Sequence, residues 1–221
     1  MTHRALRILL LLTVLSASSA AAQTCPQTCT DNWPGPFGLC YTAPARDTSG
    51  SASCSPYPDI TSHVAYDLVL GELSATAATC PVGGSSYGFV DAHDRFRLVG
   101  PSGGGAIAFE ARFTASGSAG FPGTVSASVR EVGGATQSVN DGGNGGFIQT
   151  LVLPLLHAVG EEFELAYEVG ASAATSAHAE GTLWFAGLPA GYGIASCQGF
   201  QGVGAVPTRP TSWGSVKALY R

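Results

Sequence analysis

Residues 106–115, AIAFEARFTA, set Ile107, Phe109, Ala111 and Phe113 on one parity and Ala108, Glu110 and Arg112 on the other. A period of two with one charged parity describes a β-strand that is packed on one face and wet on the other. The stretch EFELAYEV (162–169) repeats the pattern, with Phe163, Leu165, Tyr167 and Val169 against Glu162, Glu164, Ala166 and Glu168. HVAYDLVL (63–70), DRFRLV (94–99), TVSASVREV (124–132), FIQTLVL (147–153) and GTLWFAG (181–187) add further strand candidates. Between them lie glycine-rich connections such as PSGGG (101–105) and NDGGNGG (140–146), and glycine supplies the positive φ of tight hairpins. No long helical periodicity interrupts the series. The expectation is an all-β, antiparallel β-sandwich of jelly-roll-like form.

The N-terminal side reads differently. Arg4 and Arg7 precede the apolar run 8–15, and the triplet Ala20-Ala21-Ala22 follows, the pattern of a secretory signal peptide over residues 1–22 with cleavage before Gln23. That apolar run is shorter than the ~20 residues a spanning helix requires, so no transmembrane segment is expected. Thr24 before Cys25 lacks the small residue that normally precedes a lipid-attachment cysteine. Removing residues 1–22 takes away two of ten basic residues and none of fifteen acidic ones, so net charge falls from −5 to −7. Nucleic-acid binding needs clustered Lys and Arg and is excluded as a partner class.

All six cysteines, Cys25, Cys29, Cys40, Cys54, Cys80 and Cys197, survive that cleavage. An even number in an exported chain predicts disulfides and no free thiol, with connectivity open among 15 pairings. The working arrangement joins Cys80 to Cys197 and pairs Cys25, Cys29, Cys40 and Cys54 among themselves. Zinc is a poor competitor, because no Cys-x-x-Cys pair occurs and the histidines are scattered. Four of the six lie in residues 23–59, rich in Cys, Pro, Ser and Gly, which read as a disulfide-stapled, loop-rich cap ahead of a sandwich over 60–205.

Gly-x-Ser-x-Gly occurs at 84–88 and 100–104, marking Ser86 and Ser102. A nucleophile elbow must join a strand to a helix, whereas an alternating strand follows GPSGG, so a hairpin turn is the expectation. In DAHDR (91–95), Asp91 and His93 would share a strand face if the strand at 94–99 begins early, the arrangement of an oriented imidazole base or ligand, against the favoured plainer reading of a solvated loop with an Asp94/Arg95 pair. Asn140, Asp141 and Asn144 offer hard oxygens for calcium, but one carboxylate is thin for an ion that takes about 6–8 oxygens. Glu161, Glu162, Glu164 and Glu168 form an acidic stripe in which Glu162 and Glu164 lie roughly 7 Å apart along a strand, a spacing suited to glycoside hydrolysis. Without an aromatic platform beside them, they read as a solvated sheet face.

GTLWFAGLPAGYGIASCQGF (181–200), with the segment before it, resembles the last hairpin of uncharacterised secreted bacterial β-sandwich proteins, broadly those of the PEP-CTERM exported group. The chain departs from that group in having no Val-Pro-Glu-Pro, no terminal apolar helix and no basic tail after one. Its ending TSWGSVKALYR resembles those of other exported bacterial proteins. The resemblance spans about the last half of the sequence, implies a fold and an export route, and carries over no catalytic residue.

Residues 206–221 hold Pro207, Pro210 and the sole lysine, Lys217, and are expected to dock through Trp213, Val216 and Tyr220 while Lys217 and Arg221 stay in solvent. A secretion or sorting signal is the competing reading of this segment. Trp33, Phe37, Tyr41, Trp184 and Tyr192 are the aromatic residues available to a sugar, with core or cap packing as their plainer role. The sequence thus points to a secreted binding or structural module in contact with extracellular polysaccharide or cell-surface components, with no cofactor. A glycan hydrolase working through Glu, Asp and His residues is the alternative.

Overall fold

The alternation at 106–115 becomes a 13-residue strand, Ile107–Ala119, in the computed structural model of the chain, which describes residues 28–34, 40–45, 49–57, 60–79, 86–101, 105–143 and 145–202. In chain order the strands are β1 (Thr28–Pro34), β2 (Cys40–Ala45), β3 (Ser49–Tyr57), β4 (Ile60–Asp67), β5 (Glu72–Thr79), β6 (Ser86–Val99) and β7 (Ile107–Ala119). They continue with β8 (Gly123–Glu131), β9 (Thr136–Gly142), β10 (Gly145–His157), β11 (Glu162–Ala173), β12 (Ser176–Ala186) and β13 (Gly193–Ser196). Among the described residues no helix is long and apolar enough to cross a membrane.

The strands form two antiparallel sheets. Sheet I runs β2-β1-β6-β11-β8-β9, and sheet II runs β10-β7-β12-β5-β4-β3. One edge of β6 is shared end to end, with β1 along Ser86–Asp91 and β13 along Phe96–Val99. Pairings nest about the β8–β9 hairpin: β7 with β10, β6 with β11, and β5 with β12. The chain therefore behaves as one long hairpin whose arms cross repeatedly between the two sheets.

Side chains of one parity fill the space between the sheets. Phe96, Phe113, Tyr167, Phe185 and Phe200 are among the largest fully buried residues, and burying an aromatic or aliphatic side chain stabilises by about 1.5–3 kcal/mol. Their rings interlock, Phe96 meeting Phe185 edge-on at 5.2 Å and Phe200 at 5.8 Å. Gly181 sits directly over the Phe113 ring, leaving no room for a Cβ on β12. At Gly88 a Cβ would come within 2.9 Å of the Thr76 carbonyl oxygen, so β6 and β5 approach closely there.

Residues 23–59 differ from the loop-rich cap inferred from composition. Where described, they pair into the sheets: β1 and β2 extend sheet I, and β3 extends sheet II. Backbone pairing at the sheet margins asks for no apolar alternation of the kind that marks a half-buried strand, and composition alone did not disclose it. Cys29, Cys40 and Cys54 lie on β1, β2 and β3, while Cys25 and Cys80 lie outside the described residues. The segment 206–221, with Trp213, Val216, Lys217, Tyr220 and Arg221, also lies outside them, as do Phe37, Ser102 and Asn144.

Candidate functional site

The two outer faces of the sandwich carry different chemistry. On sheet I, Asp91, His93 and Arg95 project outward from alternate positions of β6, and β11 sets Ala166 opposite His93 and Glu164 opposite Arg95. His93 Nε2 lies 3.1 Å from Asp91 Oδ2 and Nδ1 lies 3.1 Å from Glu164 Oε1. Arg95 reaches Glu164 at 3.9 Å, and Arg130 of β8 reaches Asp91 at 3.6 Å. The hydrogen bond with Asp91 is the main influence raising the His93 pKa above its ordinary value. Partial burial opposes it, and Glu164 adds to it. Protonated, the ring donates from both nitrogens, so every polar atom of the imidazole is occupied by a neighbour.

Asp91 and His93, which the plainer reading left in a solvated loop, lie on β6 and pair, and the fold adds Glu164, 71 residues from His93. The expected Asp94/Arg95 pair does not form. Consecutive strand residues point to opposite faces, so Arg95 turns outward while Asp94 is fully buried. There Asp94 accepts hydrogen bonds from the Ser196 hydroxyl and, at 3.1 Å, from the Gln198 N–H. Ser196 Oγ in turn accepts from Gln198 N at 3.0 Å and Phe200 N at 3.1 Å. Burial pushes the Asp94 carboxyl up to about 7, against the lowering effect of these donors. The arrangement fastens residues 196–200 to β6 and seats Phe200 in the core.

Sheet II presents a groove of about 600 Å³ instead. Its floor is the outward side of β5, β12 and β7, lined by Glu72, Ser74, Glu180, Thr182, Thr114 and Ser116. Register explains the clustering: Glu180 lies opposite Ser74 on β5 and Ser116 on β7, while Thr182 lies opposite Glu72 and Thr114. Ala65 of β4 and Ile148 of β10 line it as well, and Ile148 is 88 % exposed. Small side chains along the middle of the sheet leave the concavity open. Asp67 Oδ1 accepts from the Val69 and Leu70 N–H groups at 2.9 and 3.1 Å, and Gly71 takes φ +72°, closing the tight turn that leads into β5.

Hydrogen bonds order part of this floor. Ser116 Oγ donates to Glu180 Oε1 at 3.0 Å, and the Thr114 and Thr150 hydroxyls meet at 3.0 Å. Trp184, one of the candidate sugar-facing aromatics, borders the groove by donating from Nε1 to Thr114 Oγ1 at 3.1 Å. Its ring is covered by the Arg112 guanidinium, 4.9 Å from the centroid. Arg112 is held in turn by Glu110 Oε2, 2.7 Å from both Nε and a terminal nitrogen. Tyr192 is partly buried against the core and crowds Gly100, so it presents no platform. Trp33 and Tyr41 fall on β1 and β2.

The remaining candidates separate. Ser86 opens β6, is buried, and leads into a strand rather than a helix, so it lacks the elbow context. Asn140 and Asp141 are consecutive on β9 and point to opposite faces. Glu162 and Glu164 share the outward face of β11, but Glu164 is engaged by His93 and Arg95. Glu168 is partly buried on the same face, and Glu161 precedes β11, its carboxylate accepting from the Ala158 N–H at 2.8 Å. Sequence reasoning missed the groove because β5 beyond Glu72 and Leu73 is built of Ala, Ser and Thr, whose alternation carries little hydropathy contrast.

No protein-family model matches the chain, and no curated protein matches it in sequence. Among solved structures it is similar to TmCBM61 in complex with β-1,4-galactotriose, at 13% identity and a TM-score of 0.31, covering 63% of this chain and 89% of that one. It is also similar to the enzymatically active domain of tailspike protein 4 from bacteriophage CBA120, at 14% identity and a TM-score of 0.26, covering 76% of this chain and 19% of that one.

Proposed function

We propose that this chain is an exported, jelly-roll-like β-sandwich binding module whose sheet II groove contacts extracellular polysaccharide or cell-surface glycan. The observation that carries the reading is the groove: hydroxyls and carboxylates on the floor, with exposed Ile148 along it. Sugars present alternating hydroxyls and apolar C–H faces, and a site for them needs both kinds of partner at fixed spacing. Strand positions hold that spacing rigidly, because side chains on one face repeat every second residue. The signal-peptide pattern and the even cysteine count support export and a disulfide framework. The nested strand pairing supports the jelly-roll description.

The hydrolase alternative would draw on Asp91, His93 and Glu164. These project from sheet I, the other sheet from the groove, and His93 holds one oxygen of each carboxylate, while Asp91 Oδ1 is buried without a hydrogen-bond partner among the described residues. Binding of polysaccharides by the purified protein, followed by affinity electrophoresis and calorimetry, separates the readings. Ser74→Tyr and Thr182→Tyr place a strand-compatible ring over the floor, and each is expected to weaken binding by about tenfold or more at an unchanged melting temperature. Binding that survives both substitutions, or turnover abolished by Glu164→Gln, would contradict the proposal.

A further inference from the structure

The groove contains two carboxylates and no Lys or Arg side chain among its lining residues. Glu72 makes no ion pair among the described residues. Glu180 receives the Ser116 hydroxyl on Oε1 and lies 3.5 Å from His178 through Oε2. The nearest guanidinium along β7 belongs to Arg112, which is committed to Glu110 and to the Trp184 ring. Glu72 and Glu180 occupy diagonal positions of the β5/β12 pair, because Glu72 faces Thr182 and Glu180 faces Ser74. Diagonal positions of this kind lie about 7–8 Å apart, so a chain crossing the floor meets both negative charges within the span of about two sugar units.

We propose that Glu72 and Glu180 form a charge filter that admits polyhydroxylated chains lacking anionic groups and rejects uronate- or sulfate-bearing ones. This rests on the reading of the groove as a glycan site and names the ligand class it takes. An ionised carboxylate only accepts hydrogen bonds, so each Glu is complementary to ligand O–H or N–H donors. A ligand carboxylate placed there is repelled at short range, and specificity arises from that penalty as well as from the attractive contacts. Ser74, Ser116 and Thr182 can donate or accept, so they tolerate either orientation of a sugar hydroxyl. Two carboxylates with no Lys or Arg partner among the described residues therefore set the charge class of the ligand.

The test uses the full-length secreted protein and matched polymers differing in charge: hydroxyethyl cellulose with carboxymethyl cellulose, and dextran with dextran sulfate. The wild-type protein is expected to bind a neutral member on the order of tenfold more tightly than its anionic partner, and added salt is expected to narrow the gap by screening. The double variant Glu72→Gln/Glu180→Gln, melting as the wild type does, is expected to bring the ratio of neutral to anionic affinity toward one, through gained affinity for the anionic member. Anionic polymer bound as tightly as neutral by the wild type would overturn the filter and leave the glycan reading standing. A preference unchanged in the double variant would remove these two residues from the role. Failure of both neutral polymers to bind, in a protein that melts cooperatively, would remove the groove reading and the filter with it.

Discussion

The outer face of sheet I carries more charge near its centre than that of sheet II, yet it is the less available of the two. Asp91, His93, Glu164, Arg95 and Arg130 contact one another across three strands, with Asp91 Oδ1 buried and without a hydrogen-bond partner among the described residues. On sheet II the central rows hold Ser, Thr and Ala, two carboxylates line the concavity, and Arg112 is drawn aside onto an indole. Density of titratable groups is thus a poor guide to a site: charges paired with opposite charges hold sheet I, while the groove carboxylates have no Lys or Arg partner among the described residues and are left for a ligand. Partly exposed pairs contribute only about 0–1 kcal/mol each, so the sheet I network is a modest brace.

The comparison can be broken at its most strongly coupled point, the buried Asp94 that fastens residues 196–200 beside sheet I. Its folded pKa, about 7, lies above the ordinary carboxylate value of 3.8. The folded state therefore holds the proton more tightly. The stability this confers is fully present below about pH 3.8 and is lost as pH rises through about 7. The gap between 3.8 and about 7 corresponds to at most about 4 kcal/mol. Chemical denaturation from pH 4 to 8 should show this decline in the wild-type protein and a flatter profile in Asp94→Asn, which keeps an acceptor but cannot ionise. Parallel profiles for the two proteins would show that Asp94 does not titrate in this way.

A smaller effect is expected at the centre of the sheet I network. His93→Ala removes the ring that bridges Asp91 and Glu164 and is expected to cost about 1 kcal/mol of stability at pH 6. The cost should shrink as pH is raised, because a raised histidine pKa contributes stability that is full below its ordinary value of 6.5 and disappears as pH passes through the folded value. Glycan affinity should be unaffected. A fall in affinity with His93→Ala would place the ligand on sheet I and reverse the comparison.

How much of this was legible in the sequence follows from side-chain contrast. Strands such as Ile107–Ala119 and Glu162–Ala173 announce themselves because large apolar and charged residues alternate along them. Glu72–Thr79 and Thr136–Gly142 do not, since beyond Glu72 and Leu73 the first holds only Ala, Ser and Thr, and the second has Val139 as its one large apolar side chain among polar ones, so the parities differ little. The groove floor is built partly on the first of these, so the property that keeps it open also kept it out of view. Asp91 and His93 were legible as neighbours two apart on one strand, whereas their joining with Glu164 depends on the β6/β11 register. Asp94 and Arg95 look like a surface pair in the linear sequence, and the pleat separates them to opposite faces.

The central claim is that the ligand face is sheet II and that sheet I is structural. Its most direct test is an NMR titration of isotope-labelled protein with a mixture of neutral glucan, mannan and galactan oligosaccharides, following backbone amides on both faces. The account predicts dose-dependent shifts at Ser74, Ser116, Glu180 and Thr182, with His93, Arg95 and Glu164 unmoved. Shifts centred on His93 and Glu164 with a silent groove, or no shift on either face, would contradict it.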